Sequence, residues 1–259
     1  MRIARFSFGD DIKFGVVAAI GDDEVVAPIV GDPLYVPIQP AGDPIPLADV
    51  RLLAPVIPRS KIVGIGRNYA DHAAEMGNEV PANPLLFLKP NTSVIGPGEP
   101  ITYPPFSVNV HFEAELAVVI GRVCKDVPAA RVPEVIFGYT CANDVTARDL
   151  QQSDGQWARA KGFDSACPLG PWIETELDPA DLAVTCTVNG ELRQDGRTSQ
   201  MVRGVVELVT YASSAFTLLP GDVILTGTPA GVGPLEPGDQ VAVTVEGIGT
   251  LTNRVVSGG

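Results

Sequence analysis

The sequence predicts a mixed α/β, β-rich fold: a roll or sandwich of many short strands with a few helices at its periphery. Three observations carry that prediction. Short apolar runs rich in Val and Ile recur along the chain, bounded by Gly, Pro or Asp. Asn189-Gly190 sits at the centre of "AVTCTVNGELRQ", where apolar and polar residues alternate, a strong hairpin signal. Helical periodicity is confined to a few segments, and no strand–helix–strand pattern repeats.

Taken in order, "RIARFSF", "KFGVVAAI" and "EVVAPI" read as short strands separated by Gly and Asp turns. Eight prolines from Pro28 to Pro58 exclude a long helix there and favour an extended connection. Residues 1–60 therefore read as a small β-rich N-terminal module with a Pro-rich connection, and residues 61–259 as the main domain. In the main domain, helical pattern appears in "NYADHAAEM", in "VPEVIFGY" and in "GVVELVTYASSAFTL", the longest. "GDVILTGT" and "GDQVAVTVEGIGTLTNRVV" are further strands. "GIGRNY" at 64–69 lacks the third glycine and the surrounding unit of a dinucleotide site.

At 259 residues, 45% of them hydrophobic, the chain can bury a sizeable core. Its formal charge of −13 would repel nucleic acid and anionic membranes, so neither is expected as the main partner. An acidic ligand would need a local cluster of cations. No run approaches the ~20 apolar residues of a membrane span, and the opening "MRIARFSFGDDIKFG" shows no secretory signal. The expected location is the cytoplasm. Cysteines 124, 141, 167 and 186 have no metal-ligand spacing and read as small buried thiols of a reducing compartment.

"NVHFEAELAVVIG" poses the chemical question. Residues two apart on a strand share a face, so Glu113 and Glu115 point the same way in a segment that soon becomes apolar on both faces. Such a pair by itself also fits the wet face of an edge strand. If buried, the two carboxylates repel and desolvate unless one is protonated or a cation lies between them. Asp144, in the strand-to-helix turn of "CANDVTARDLQQ", offers a third carboxylate. Three acidic oxygens suit a hard cation such as Mg²⁺ or Mn²⁺, with Ca²⁺ a further option, rather than Zn²⁺. His72 and Glu75 lie three apart in "DHAAE", closed by Gly77, on one helical face. They read as a solvated pair or as an imidazole oriented for base work. Arg148 and Gln151 are a helical turn apart, Lys161 follows Trp157 and precedes a glycine, and Lys89 ends an apolar run where it must snorkel or meet an anion.

"GRNYADHAAEMG", "FLKP", "HFEAELAVVIG", "NDVTARDLQ", "KGFDSACPLGPW" and "LTGTPAGVG", in this order, resemble the fumarylacetoacetate hydrolase family from about Lys61 to Val256. The resemblance implies that family's β-roll, a divalent metal, a homodimer and chemistry on small 2-oxo or hydroxy diacids. It implies Glu113, Glu115 and Asp144 as metal ligands, and His72 with Glu75 as a general-base pair on a mobile helix. Arg148, Gln151, Lys89 and Thr228 are implied as substrate contacts, and Lys161 as a catalytic cation that also touches substrate. The activity implied first is hydrolysis of a C–C bond in an acylpyruvate-type acid through a metal-bound enolate. Isomerisation of 2-hydroxyhepta-2,4-diene-1,7-dioate or decarboxylation of oxaloacetate on the same site follows closely. A metal-dependent binding protein without turnover is the alternative of another class. The N-terminal module is similar to that of bacterial members assigned as isomerases.

Overall fold

The computed structural model describes residues 1–21 and 23–258. A long mixed sheet runs through the molecule in the order Ile45–Pro46, Asp23–Ile29, Asp11–Ile20, Arg2–Phe8, Cys167–Glu174, Ile136–Asn143, Ala114–Ile120, Val223–Leu225, Ile62–Gly66 and Leu85–Lys89. A second, five-stranded sheet orders Glu191–Arg197, Ala183–Val188, Gln240–Val245, Gly249–Ser257 and Ile101–Tyr103. A small three-stranded sheet joins Thr146–Ala147, Val110–Phe112 and Gly233–Pro234.

The core follows from the period of two along Ala114–Ile120, every residue of which is buried. Leu116, Val118 and Ile120 join Val184, Cys186, Val241 and Val243 of the five-stranded sheet in one cluster. Ala117 and Val119 face the other way and pack with Ile3, Ile62, Leu169, Val223 and Leu225. A strand covered on both faces and paired on both edges cannot show polar alternation, which explains its continuous apolar run.

The N-terminal strands are not a separate sheet. Arg2 and Ile3 pair with Glu174 and Ile173, so the module extends the central sheet directly. The Asn189-Gly190 hairpin forms as read, with positive φ at both residues (53° and 82°). The segments with helical pattern at 68–76 and 204–218 contain the helices Ala70–Glu75 and Val205–Ala215.

"VPEVIFGY" is a correction. Only its first residues turn, as the end of a 3-10 helix Ala129–Glu134, and Ile136–Asn143 is a strand. Pro133 stops helix propagation. The remaining β-branched and aromatic residues then pair between Ala114–Ile120 and Cys167–Glu174. Gly138 permits that approach, since a Cβ there would meet the Glu174 carbonyl oxygen at 2.6 Å. The four cysteines are free thiols, three of them buried. No helix among the described residues is long and apolar enough to cross a membrane.

Candidate active site

Two chain segments bring the acids together. Glu115 sits one residue into the central strand. Glu113 is not within that strand, as the sequence reading had it, but at the break between Val110–Phe112 and Ala114–Ile120. The break is held by side-chain bonds, with the Glu113 N–H donating to Asn143 Oδ1 at 2.9 Å. The Glu113 carbonyl accepts the N–H of Asp144 at 2.9 Å, which carries the third acid to the first. One carboxylate oxygen from each of Glu113, Glu115 and Asp144 lies within 4.8 Å of the others, and all three residues are buried.

Cations surround this cluster. Lys161 Nζ donates to Glu113 Oε2 at 2.9 Å, Asp144 Oδ2 at 2.6 Å and Thr146 Oγ1 at 2.7 Å. Lys89 bonds the other oxygen of Asp144. Arg148 Nη1 donates to Gln151 Oε1 at 2.9 Å, and its Nη2 lies 2.5 Å from Glu113 Oε1. That last contact is an ion pair off hydrogen-bond alignment, and Arg148 Nε and Nη2 are buried without a bonded partner.

These neighbours split the two glutamates. Burial pushes the Glu113 carboxyl upward, but Arg148, Lys161 and His72 outweigh it and hold the group well below the ordinary range. Burial, together with Asp144 and Glu113, raises Glu115 well above it; Lys161 and the Gly227 N–H, 2.7 Å from Glu115 Oε2, only partly compensate. The N–H of Gly227 reaches Glu115 from a left-handed residue (φ 96°).

His72 is buried rather than solvated. Its Nδ1 lies 3.3 Å from Glu75 Oε2, and Glu75 also accepts the Gly231 N–H at 3.1 Å, tying the short helix to the loop after Thr228. Thr228 Oγ1 donates to the Ala114 carbonyl at 2.8 Å and accepts from Gln194 Nε2 at 2.7 Å.

A cleft of about 650 Å³ collects most of the residues singled out in the sequence: His72, Glu113, Glu115, Asp144, Arg148, Gln151, Lys161 and Thr228 all line it. Glu75 and Lys89 are not in its lining; Glu75 stands behind His72 and Lys89 behind Asp144. His111 is only half-buried, with Nε2 3.0 Å from Asn109 Oδ1. Burial, then Arg148, lowers its pKa to about 4 against the opposing pull of Glu113 and Glu75.

Sequence reasoning passed over Gln194, which is fully buried. It accepts the Ala114 N–H at 2.9 Å and donates to Thr228 and to the Pro229 carbonyl, so it holds the acid-bearing strand to the Thr228 loop. Its only sequence signal is a polar residue at an inward strand position. Asn68 was also missed; its side chain binds Arg203 N–H, the Arg203 carbonyl and the Thr226 carbonyl.

The donor set fits a hard divalent cation. Three buried carboxylate oxygens converge, and burial, with Asp144 and Glu113 beside it, pushes Glu115 toward its neutral form, a cost that a bound divalent ion would relieve.

Comparison with known proteins bears on this site. A family model described as "Fumarylacetoacetate (FAA) hydrolase C-terminal" matches residues 61–256, and one described as "Rv2993c-like, N-terminal" matches residues 1–55. Protein Rv2993c of Mycobacterium tuberculosis is 54% identical over 268 residues, covering 100% of this chain and 99% of that protein. The rat mitochondrial oxaloacetate tautomerase Fahd2a is 44% identical over 223 residues, 82% of this chain and 71% of its own length. Among solved structures, 5-carboxymethyl-2-hydroxymuconate delta-isomerase from Mycobacterium smegmatis superposes with a TM-score of 0.92 at 53% identity, covering 100% of both chains. The 2-hydroxyhepta-2,4-diene-1,7-dioate isomerase of Mycobacterium marinum gives 0.92 at 51%, over 100% of this chain and 99% of the other. Fumarylpyruvate hydrolase from Pseudomonas aeruginosa, solved with Mn²⁺ and pyruvate, gives 0.73 at 34%, over 84% and 93%.

Proposed function

This chain belongs to the fumarylacetoacetate hydrolase family, and from that premise we propose a divalent-metal-dependent enzyme that moves a proton on a small 2-oxo or 2-hydroxy diacid, as an isomerase or tautomerase. The observation carrying this reading is one cleft that holds the Glu113–Glu115–Asp144 triad, the incompletely bonded guanidinium of Arg148 and the imidazole of His72. C–C hydrolysis, the activity expected first from the sequence, is the second reading. Identities of 53% and 51% to proteins named isomerases, against 34% to the fumarylpyruvate hydrolase, support that order.

Glu113, Glu115 and Asp144 would hold the ion. When bound, it supplies Lewis-acid stabilisation of negative charge on an oxygen next to the substrate carboxylate. The protein's own groups do the rest. Arg148 presents Nε and Nη2 to a carboxylate, with Gln151 fixing its Nη1. His72, oriented through Nδ1 by Glu75, takes or returns a proton at Nε2. Lys161 keeps positive charge beside Glu113 and Asp144, where negative charge develops on the substrate. Phe87 and Trp157, in edge contact at 5.5 Å between ring centres, give the cleft an aromatic wall. For hydrolysis, His72 would take a proton from a water whose oxygen adds to the distant carbonyl; the C–C bond would then break, and the proton would return to the carbon that leaves. A homodimer is part of the same proposal.

The test is turnover of enol oxaloacetate, 2-hydroxyhepta-2,4-diene-1,7-dioate and acetylpyruvate side by side, with Mg²⁺ or Mn²⁺ and after chelation. Proton transfer should be fastest and vanish with the metal. Faster cleavage of acetylpyruvate would install the hydrolase reading, and no turnover of any of the three would overturn both.

A further inference from the structure

Arg67 stands apart from every other cation of the cleft. Of the other lining cations, Arg148 and Lys161 contact Glu113, Lys161 also contacts Asp144, and His72 contacts Glu75. Arg67 also lines the cleft, half-buried, yet makes no ion pair or side-chain hydrogen bond among the described residues. The acids lining the cleft are the triad alone, so no lining carboxylate is left over for it. The residues it shares the cleft with include the neutral amides Asn78, Gln152 and Gln156.

Its backbone is also out of the ordinary. Arg67 has φ 57°, the left-handed region that a side chain with a Cβ enters at an energetic cost. The conformation is imposed from both sides. Gly66 pairs with Leu85 and abuts Trp157, where a Cβ would come within 2.8 Å of the indole. Asn68 is held by three side-chain bonds to Arg203 and Thr226 and by its own carbonyl, which accepts the Val202 N–H at 2.8 Å. Strain kept in place by this many contacts, at a residue lining the cleft, is the pattern of a positioned functional group.

Charge counting says what it would meet. In the inner site three carboxylates are matched by Arg148, Lys161 and Lys89. A divalent ion then adds two positive charges, which one substrate carboxylate and an adjacent enolate oxygen would neutralise. With Arg148 committed to that same carboxylate beside the ion, a second carboxylate on the substrate has no uncommitted charge left in the inner set. We infer that Arg67 is the specificity-determining residue that binds the distal carboxylate of a diacid, through the bidentate geometry a guanidinium offers. This inference rests on the 2-oxo-acid reading of the site given above.

Calorimetric binding to the Mn²⁺-loaded protein tests it, with pyruvate and oxalate as probes lacking a distal carboxylate and 2-oxoadipate as the diacid. Arg67→Leu should weaken 2-oxoadipate at least tenfold and leave pyruvate and oxalate within twofold. Arg67→Gly should do the same while keeping or raising the melting temperature, because glycine adopts the left-handed conformation without strain. Arg67→Lys should fall between Arg67→Leu and the wild type. On turnover, the loss should appear in KM for diacids rather than in kcat. If 2-oxoadipate and pyruvate weaken by the same factor, or neither changes, Arg67 does not read the distal carboxylate, while the inner site stands. If the wild-type protein binds neither pyruvate nor oxalate, the reading of the site falls and this assignment with it.

Discussion

Glu113 and Glu115 show how far two identical side chains can diverge. Arg148 and Lys161 hold the first ionised against its burial, while burial and two neighbouring carboxylates push the second toward its neutral form. A divalent ion must displace the proton that Glu115 retains, so Mn²⁺ affinity should rise with pH, with proton release visible as a buffer-dependent heat in calorimetry. Glu115→Gln should remove that proton release and weaken Mn²⁺ at least tenfold, about 1.4 kcal/mol. Unchanged affinity in this variant would take the ion away from the triad. In the proposed reaction His72 would act on the proton and not on the ion, since its hydrogen-bonded partner is Glu75 and it makes no bond to the triad. His72→Ala should therefore leave Mn²⁺ affinity within about twofold, while lowering kcat by the ~10²–10⁴ of a lost general base. Release of the metal by that variant would contradict the assignment.

At the scale of elements, the site depends on a strand that stops one residue early. Ala114 lies beside the gap between two strands, and its N–H and carbonyl go to Gln194 and Thr228 rather than only to a neighbouring strand. Gln194 arrives on the Glu191–Arg197 arm of the hairpin, so the five-stranded sheet braces the acid-bearing strand. Gln194→Ala leaves the Ala114 N–H buried without a partner and should cost about 1–3 kcal/mol by denaturant melts. Because the strand is also loosened beside Glu113 and Glu115, Mn²⁺ affinity should fall as well. A stability loss with unchanged metal affinity would make Gln194 structural only.

Over the whole molecule, the sheet is continuous from the N-terminal strands to the site. Arg2 and Ile3 cover the edge of Cys167–Glu174, which is buried along its entire length. Removing residues 1–60 should therefore expose an apolar edge and yield an aggregating or markedly less stable protein, measurable by light scattering and thermal melts. The two glutamates contribute opposite slopes to the pH profile of the metal-free protein. Glu113, with its pKa depressed on folding, adds stability above the ordinary carboxylate range and loses it as pH falls through its folded value. Glu115, with its pKa raised, adds stability that is full below the unfolded value and is lost as pH rises through its folded one. His111, its pKa lowered to about 4, adds stability as pH rises toward the ordinary histidine value. Above that value chelated protein should therefore melt at falling temperature as pH climbs toward the folded value of Glu115, and added Mn²⁺ should abolish that decline. A chelated protein with a flat profile would count against the raised pKa of Glu115.

Local chemistry made much of this legible in the sequence. The Asn189-Gly190 hairpin, the strands at both ends of the chain and the longest helix follow from turn residues and periodicity, which need no distant partner. The pairs His72–Glu75 and Arg148–Gln151 could be seen because their spacing matches a helical turn, and Glu113–Glu115 because it matches a strand, although Glu113 sits just before that strand. The roles of all three pairs came from the family resemblance. Tertiary structure decided the rest. Ile136–Asn143 became a strand because two neighbours offered it edges, and the N-terminal strands joined the central sheet for the same reason. Lys89 went behind Asp144 instead of into the cleft, Gln194 came from another sheet to hold Ala114, and Arg67 took a left-handed conformation. Each of these depends on which groups a folded backbone brings within a few ångströms across many residues of chain, and burial and Coulomb energy act on that distance, not on sequence separation.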